Sequence, residues 1–432
     1  LLMLITILIN YVSALLIDYS KSKNKTKIFL VISILLNLLL LGFFKYANFF
    51  VNNLNKILLF FHCETIELEP IHLPIGISFF IFQSMSYVID VYRKEAPSQK
   101  NPINIALYVA LFPQLIAGPI VRYHDIARQI ISRTINVNLF ASGVRRFIIG
   151  LGKKVLIANT VALIVDKVFS YPANQLSVQA AWIGIIAYSL QIYFDFSGYS
   201  DMAIGLGRMF GFDFLENFNY PYIAQSVQEF WRRWHISLST WFRDYLYIPL
   251  GGNRKGNKRT YINLFIVFFV TGLWHGASWN FIIWGIFHGT FLIIERIGFG
   301  EFLTKIWRPL RHFYTLLVVI IGWVFFRSDS LSYSLSYLKS MFGLGGGSQS
   351  FALSNLYLNN EFVITVVIGI IVSTPILGLI NNLFNNIKSQ VFHNVLQKSS
   401  MLFANICLFA IFIASIMSLA SGTYNPFIYY RF

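Results

Sequence analysis

The chain has 432 residues, of which 56% are apolar and 12% charged, and its formal net charge is +16. Because roughly a quarter of the residues in an average soluble domain are charged, this balance excludes an ordinary soluble protein and indicates an integral membrane protein. The lysines and arginines lie between apolar stretches, where cytoplasmic loops concentrate them. The charge is therefore interpreted as membrane topology, and no nucleic acid is expected as a partner.

Apolar stretches along the chain approach or exceed the roughly 20 residues that cross a bilayer core. They predict spans near residues 1–17, 28–45, 71–92, 103–120, 144–169, 179–209, 261–294, 313–326, 362–380 and 401–420. Pro74, Pro113 and Gly272 interrupt three of them. Backbone freed by such breaks must be buried in protein or line a wet cavity. The predicted fold is an all-α, polytopic membrane protein with an interior chamber, and residues 1–432 are predicted to form one domain.

Residues 221–260 are aromatic-rich but also carry Glu229 and Arg243, so this segment is predicted to be interfacial or re-entrant. The glycine-rich residues 343–348 are predicted to be a flexible loop, because no GK[ST] sequence follows as in a nucleotide-binding loop. Cys63 and Cys407 are far apart and have no metal-ligand spacing, so no metal site and no disulfide framework are indicated.

His275 lies inside the predicted span 261–294, in the sequence Gly-Leu-Trp-His-Gly. An ionisable side chain within a span is costly and is by default a functional hypothesis. Histidine suits acyl transfer, because near neutral pH it can accept a proton from a hydroxyl and return it to a leaving group. The alternative is a buried histidine that a neighbouring helix satisfies.

His235 precedes His275 by forty residues, a separation that can bring both imidazoles into one chamber. The adjacent Arg232 and Arg233 could bind a phosphate or carboxylate through paired hydrogen bonds. Their alternative role is to anchor the chain at the cytoplasmic interface.

Two aspartates, Asp195 and Asp201, lie in the otherwise apolar predicted helix 179–209 and should be paired or face a cavity. We predict Arg243 and Arg208 as their partners. These acids are expected to fix helix packing around the chamber more than to transfer protons. His288 lies further along the same predicted helix as His275, and its role is ambiguous.

Several segments, in this order along the chain, closely resemble the membrane-bound O-acyltransferase family, in particular its bacterial alginate O-acetyltransferase-like branch. They are residues 73–80, 112–123, 191–201, 232–239, 241–254, 273–276 and 426–432. The resemblance implies a ring of about ten or more transmembrane and re-entrant helices around a tunnel. It also implies that His275 is catalytic and that His235 is its partner in that tunnel. Relatives of this branch typically begin with further hydrophobic sequence, so the first helices are expected to be missing from this chain.

The same resemblance implies an acyl thioester donor, acetyl coenzyme A, that approaches from the cytoplasm, with no tightly bound cofactor. The acetyl group would be delivered outward to a polysaccharide hydroxyl with the help of an extracytoplasmic acetyltransferase, from a multi-pass protein of the cytoplasmic membrane. His275 is expected to act as general base, while His235 orients the acceptor or stabilises the oxyanion. The candidate substrate-binding residues are Arg232, Arg233, Trp274, Arg243 and Asp195.

Other functions stay open at this point. A transporter or lipid-linked sugar flippase would have a similar composition, although the paired, similarly interrupted halves of many transporters are not visible. A subunit that merely docks another acetyltransferase would leave His275 dispensable. Within the enzyme class, the main alternative is transfer of D-alanine to a teichoic acid. No GxSxG elbow indicates a serine nucleophile, but an acyl-histidine intermediate is compatible with the sequence. The acceptor could be alginate, peptidoglycan, cellulose or another exopolysaccharide.

Overall fold

The computed structural model describes residues 1–116, 118–345, 351, 356, 358–376, 378 and 390–422. These residues form helices, turns and one isolated bridge between Leu176 and Phe351. The helices are α1 (Leu2–Tyr19), α2 (Lys23–Phe60), α3 (Ile77–Arg93), α4 (Pro102–Ala110), α5 (Phe112–Leu115), α6 (Tyr123–Ile131), α7 (Val137–Gly152), α8 (Asn159–Phe169), α9 (Val178–Met209), α10 (Val227–Arg233), α11 (Ile236–Phe242), α12 (Gly256–His275), α13 (Trp279–Ile294), α14 (Gly300–Lys305), α15 (Arg308–Arg327), α16 (Leu331–Met341), α17 (Asn360–Val372) and α18 (Gln390–Ala420). Wider π-helical turns occupy Lys153–Ala158, Arg243–Tyr247 and Glu295–Phe299.

Six helical segments of the described chain are long and apolar enough to cross a membrane. They are Leu2–Tyr19, Lys23–Phe60, Val137–Phe169, Trp279–Lys305, Arg308–Arg327 and Ser399–Ala420. The all-α, polytopic architecture predicted from the apolar stretches is therefore confirmed.

Helix α2 is much longer than the predicted span 28–45, and its last part supports the following loop. The Asn48 side chain exchanges hydrogen bonds of 2.8 and 3.1 Å with the backbone of Ile71. Asn55 does the same with Ile66, at 2.9 and 2.8 Å. The loop after α2 thus folds back along the helix and leads into α3 close to Lys45.

Two predicted spans have different boundaries in the structure. The span 71–92 begins only at Ile77, because Gly76 adopts the left-handed φ of 75° that ends the preceding turn. The span 103–120 is interrupted near Pro113, as predicted. It consists of the short helices α4 and α5, since proline and glycine residues at 113, 118 and 119 interrupt the helical hydrogen bonds.

The predicted span 261–294 is also two helices, α12 and α13, which meet at Gly276. Ser278 caps α13 by accepting a hydrogen bond from the backbone N–H of Asn280. The backbones of the two helices approach closely at glycines. A Cβ on Gly272 would lie 2.4 Å from the carbonyl oxygen of Phe281. Close packing of α12 against α13 places the end of α12 deep in the protein.

Both acidic residues of α9 are paired, but not with the predicted arginines. Lys154 forms a salt bridge with Asp195. Arg146 and Lys153 lie 2.6 Å from Asp201. The physical reason is that α7 and its π-helical turn pack along α9, so their basic side chains reach the acids before any others do.

The residues first predicted as partners of these acids have other neighbours. Arg208 lies 3.8 Å from Asp213, and Arg243 lies 2.7 Å from the adjacent Asp244. The predicted pairing with Arg243 and Arg208 is wrong.

Residues 221–260 form neither a long span nor a solvated loop. The segment folds into α10, α11 and a π-helical turn, with Phe230, Trp234 and Leu238 buried. The re-entrant or interfacial location of this segment stays a prediction. The motif at 426–432 and residues 346–348 of the glycine-rich segment lie outside the described residues.

Candidate active site

His275 is the last residue of α12, and its imidazole is buried in an aromatic enclosure. Its ring centre lies 5.0 Å from that of Trp274, 4.8 Å from Trp284 and 5.1 Å from Phe326. The approach is edge to face in each case, an arrangement that fixes the plane of the imidazole.

His235 is buried at the start of α11 and adopts an unusual backbone conformation. Its φ and ψ of 44° and 55° are left-handed, which is uncommon for a residue other than glycine. Such conformations cost about 1–3 kcal/mol and concentrate at functional sites. Three other non-glycine residues of the described chain, His62, Lys94 and Tyr220, also have a positive φ, but among the two candidate histidines only His235 does.

Asn217 fixes the orientation of the His235 ring. The imidazole Nδ1 lies 3.1 Å from the Asn217 side-chain oxygen, which also accepts a hydrogen bond of 2.9 Å from the Ser237 hydroxyl. A carbonyl oxygen only accepts hydrogen bonds, so Nδ1 carries the proton of a neutral ring. Nε2 is buried and has no hydrogen-bond partner among the described residues. His235 therefore presents a lone pair at Nε2.

Trp274 lies between the two histidines predicted to act together. Its ring centre is 6.1 Å from that of His235 and 5.0 Å from that of His275. The structure thus brings His235, Trp274 and His275 into one cluster, as the sequence predicted.

His288 is separated from His275 by Trp284, which contacts both rings. Its ring centre lies 5.2 Å from those of Trp231 and Trp284, and Trp284 in turn contacts His275. A Cβ on Gly322 would lie 2.5 Å from its Nε2, so the ring fills a space that α15 leaves open at that glycine. These contacts favour packing as the role of His288.

A small cavity of about 90 Å³ lies beside His275, and we call it the histidine cavity. Its lining comprises Lys45, Leu73, Pro74, Ile75, Gly76, Ile77, Ser78, Phe79, Ile116, Trp274 and His275. The cavity lies at the level where the loop after α2 enters α3.

A larger cavity of about 560 Å³ lies along the part of α12 that precedes His275, and we call it the arginine cavity. Its basic lining residues are Arg232, Arg243 and Arg296. Leu264, Val267, Phe268 and Thr271 of α12 form part of its wall. Thr271 precedes His275 by four residues and is on the same face of the helix. The arginine cavity thus reaches to within one helical turn of His275.

The structure separates the predicted substrate-binding residues. Trp274 lines the histidine cavity, whereas Arg232 and Arg243 line the arginine cavity. Arg233 and Asp195 line neither cavity: Arg233 is paired with Glu229 at 2.9 Å, and Asp195 is paired with Lys154.

Sequence reasoning missed three residues of this site: Lys45, Asn217 and Arg296. Arg296 lies two residues after the last apolar residue of α13, so its position at the end of a predicted span was the available signal. The other two had no local signal.

A network of charged residues anchors the segment that carries Arg243. Asp244, next to it, accepts a hydrogen bond of 2.6 Å from Arg122 of the loop before α6. Beside that pair, His124 lies 3.2 Å from Asp125 and 2.9 Å from Asp90. Hydrogen bonds to Asp125 and Asp90 raise the pKa of His124 to about 9. This imidazolium therefore helps to join α6 to α3 on the side of the arginine cavity.

Comparisons with known proteins identify the family. The sequence profile of the membrane-bound O-acyltransferase family matches residues 2–337. The chain belongs to this family. It is accordingly a membrane-integral enzyme of the O-acyltransferase class, and the resemblance inferred from the motifs is confirmed.

Relatives within the family have different printed activities. The chain is 44% identical over 412 residues to a probable alginate O-acetylase of Pseudomonas putida, covering 93% of this chain and 84% of the relative. It is 41% identical over 373 residues to a peptidoglycan O-acetyltransferase of Helicobacter pylori, covering 79% and 70%. It is 28% identical over 276 residues to a teichoic acid D-alanyltransferase of Bacillus subtilis, covering 60% and 69%.

Proposed function

We propose that this membrane-bound O-acyltransferase transfers an acetyl group from acetyl coenzyme A in the cytoplasm towards a polysaccharide hydroxyl outside the membrane. The observation that carries the proposal is that His275 lines one cavity and lies one helical turn beyond a second cavity of different chemistry. A large cavity with three arginines suits a phosphate-bearing donor, and a small cavity in contact with the imidazole suits the acceptor.

The arginines support a donor that carries phosphate groups. Guanidinium groups bind phosphate oxygens bidentately, and coenzyme A carries several phosphates. Arg243 and Arg232 are exposed, so they can receive a ligand from solution. The apolar wall of the cavity, formed by α12, would then guide the thioester arm towards Thr271 and His275.

The two histidines have different proposed roles. His275 takes the proton from the acceptor hydroxyl as the oxygen attacks the thioester carbonyl, and returns it to the leaving thiolate. His235 accepts a hydrogen bond at Nε2, since its Nδ1 proton is held by Asn217. A lone pair suits a hydroxyl donor and repels an oxyanion. Of the two roles considered for His235, we therefore propose orientation of the acceptor.

Charge distribution supports opposite faces for donor and acceptor. The α1–α2 connection and the start of α2 carry four lysines within residues 21–27, and residues 254–259 before and within α12 carry four further basic residues. Such clusters mark the cytoplasmic side. The loop after α2 carries three glutamates within residues 64–69 and no lysine or arginine. It belongs on the outer side, next to the histidine cavity.

Helix lengths agree with this orientation. Trp274 lies 18 residues after the start of α12 at Gly256, and Lys45 lies 22 residues after the start of α2 at Lys23. These spacings correspond to about 27 and 33 Å along the two helices, which is close to the roughly 30 Å thickness of a bilayer core. Both helices therefore carry the site from a basic end to the opposite side of the membrane.

Relatives favour a polysaccharide as the acceptor. The relatives at 44% and 41% identity have names that refer to acetylation of alginate and of peptidoglycan. D-Alanyl transfer to a teichoic acid is the second candidate, and the relative with that name is only 28% identical. We further propose that the enzyme resides in the cytoplasmic membrane and works with an extracytoplasmic acetyltransferase that completes transfer to the polymer.

The donor can be tested with purified protein in detergent. We expect the protein to bind radiolabelled acetyl coenzyme A and to release free thiol from it, and we expect His275→Gln to stop the release while leaving binding intact. Exposed His62 offers a matched control, and His62→Gln should behave as wild type. If the protein turns over only with an acylated carrier protein, the donor is a carrier protein and not acetyl coenzyme A. Absence of both binding and turnover, with movement of an intact lipid-linked sugar between leaflets, would favour the transporter.

A further inference from the structure

The last turn of α12 ends at His275, and the final carbonyl groups of a helix have no partner within it. Two consecutive side chains of α2 bond to these carbonyls. The Lys45 ammonium donates to the carbonyl oxygen of Trp274, and the Tyr46 hydroxyl donates to that of Leu273. The backbone immediately before His275 is therefore held by a different helix.

The environment of Lys45 is unusual for a lysine. The side chain is buried, and its Nζ also donates a hydrogen bond of 3.0 Å to the Ser78 hydroxyl. The same nitrogen lies 5.8 Å from the centre of the Trp274 ring. Among the described residues, no carboxylate forms a salt bridge with it. Burying an ammonium group without a carboxylate is costly, so its position needs a reason.

The position of Lys45 at the carboxyl end of α12 gives that reason. A cation at the carboxyl end of a helix interacts favourably with the helix dipole and with the unpaired carbonyls. Here that helix end carries the imidazole of His275, and Lys45 lines the histidine cavity together with Trp274 and His275. The ammonium group thus bonds to the backbone next to His275 and also lines the cavity in which the reaction would occur.

We propose that Lys45 and Tyr46 are positioning residues that hold the end of α12 so that His275 faces the acceptor hydroxyl. This inference rests on the proposed function, because it assumes that His275 transfers the proton. A general base must lie within hydrogen-bond reach of that proton. A displacement of about 1 Å can cost about 100-fold in rate. The two bonds from α2 restrict this displacement at consecutive peptide groups.

The test compares four variants in membranes and as purified protein. Lys45→Met removes the charge and both hydrogen bonds at similar length, Lys45→Arg keeps a cationic donor, and Tyr46→Phe removes only the hydroxyl. Exposed Lys56 lies on the same helix, so Lys56→Met is the matched control. The readouts are kcat and KM for thiol release from acetyl coenzyme A, and ester content of the host polymer per amount of membrane protein.

A positioning role predicts a change in kcat with little change in KM, because the proposed donor binds in the arginine cavity, which Lys45 and Tyr46 do not line. We expect Lys45→Met to lower kcat about 100-fold and Tyr46→Phe about tenfold, with KM within about threefold of wild type. The kcat of Lys45→Arg should be at least tenfold higher than that of Lys45→Met, and the kcat of Lys56→Met should equal that of wild type. A merely structural role would lower the amount of protein and leave the kcat of the folded fraction unchanged.

Wild-type kcat in Lys45→Met or in Tyr46→Phe would overturn the inference. If Lys45→Met does not accumulate, the kcat of Tyr46→Phe alone tests the positioning role, because this variant retains the aromatic ring and loses only the hydroxyl. His275→Gln in the same series separates the two proposals. Full activity in that variant would remove the proposed function, whereas an inactive His275→Gln beside fully active α2 variants would remove only the positioning role. If wild-type protein does not use acetyl coenzyme A, polymer ester content decides the comparison.

Discussion

The two cavities beside α12 differ in size, charge and origin. The arginine cavity is about six times larger, is lined by three arginines, and is built from consecutive short elements between α10 and α13. The histidine cavity is narrow, contains one buried cation, and is built from α2, the start of α3 and the end of α12. Under the proposed function, donor binding and proton transfer therefore take place in different cavities along α12, with His275 at the end of that helix.

The largest effect is expected from His275 itself. His275→Gln should reduce O-acetylation of the host polymer by about 10²–10⁴, the usual cost of losing a positioned general base. The measurement is acetate released from the polymer by alkali, normalised to the amount of the protein in membranes. Unchanged acetate in cells that contain normal amounts of the variant would refute the enzymatic role of His275.

A smaller loss is expected at His235, because water can partly replace a residue that orients the acceptor. His235→Asn is the suitable change, since asparagine tolerates the left-handed backbone conformation. We expect kcat to fall about 10- to 100-fold in His235→Asn. Asn217→Ala removes the acceptor of the Nδ1–H hydrogen bond and should lower kcat by a smaller factor. Rates of thiol release would check both. A larger effect of Asn217→Ala than of His235→Asn would show that Asn217 acts independently of the imidazole.

The arginine cavity should affect donor affinity more than turnover. Replacing Arg243 and Arg296 together by Gln should raise KM for acetyl coenzyme A about 5- to 20-fold with a smaller change in kcat, because each partly exposed guanidinium contributes modest binding free energy. The wild-type KM should rise with salt, and the double variant should respond less.

Arg233→Gln is the internal control, because Arg233 is paired with Glu229 outside the cavity. If Arg233→Gln raised KM as much as the double variant, the donor would bind elsewhere on α10. Equal salt dependence in wild type and double variant would lead to the same conclusion.

The smallest effect concerns the network that anchors the arginine cavity. The pKa of His124 is raised to about 9 by its hydrogen bonds to Asp125 and Asp90. Because the folded state holds this proton more tightly than the unfolded chain, the contribution to stability is complete below about pH 6.5 and is lost as pH rises to about 9. Thermal unfolding in detergent should show a decline over this range that is weaker in His124→Gln. An identical decline in both proteins would exclude His124 as its source.

The sequence was most informative where chemistry and local pattern coincide. His275 and His235 could be recognised because ionisable residues are rare in apolar segments, and the structure brings both rings to Trp274. The basic residues near α10 and α11 were also identified, but the sequence could not show that Arg232 enters a cavity while Arg233 pairs with Glu229. That difference depends on the side of a short helix that each residue occupies.

Residues whose role depends on distant contacts could not be predicted. Lys45 directly follows an apolar stretch, where a lysine usually extends towards the membrane surface, and its carbonyl partner is 229 positions away. The ion pairs of Asp195 and Asp201 were assigned to the wrong residues for the same reason. The interruption predicted at Gly272 in the span 261–294 lies a few residues later in the structure, at the Gly276–Ser278 connection between α12 and α13.

The central claim is that donor and acceptor reach His275 from opposite faces of the membrane, and cysteine accessibility tests it without any substrate. Cys63 and Cys407 would be replaced by serine, and single cysteines introduced as Asn253→Cys at the arginine cavity or Leu73→Cys at the histidine cavity. Both positions are exposed. With a membrane-impermeant thiol reagent, we expect Leu73→Cys to react in intact spheroplasts and Asn253→Cys to react only in inside-out vesicles. Reaction of both cysteines from the same face would contradict the account.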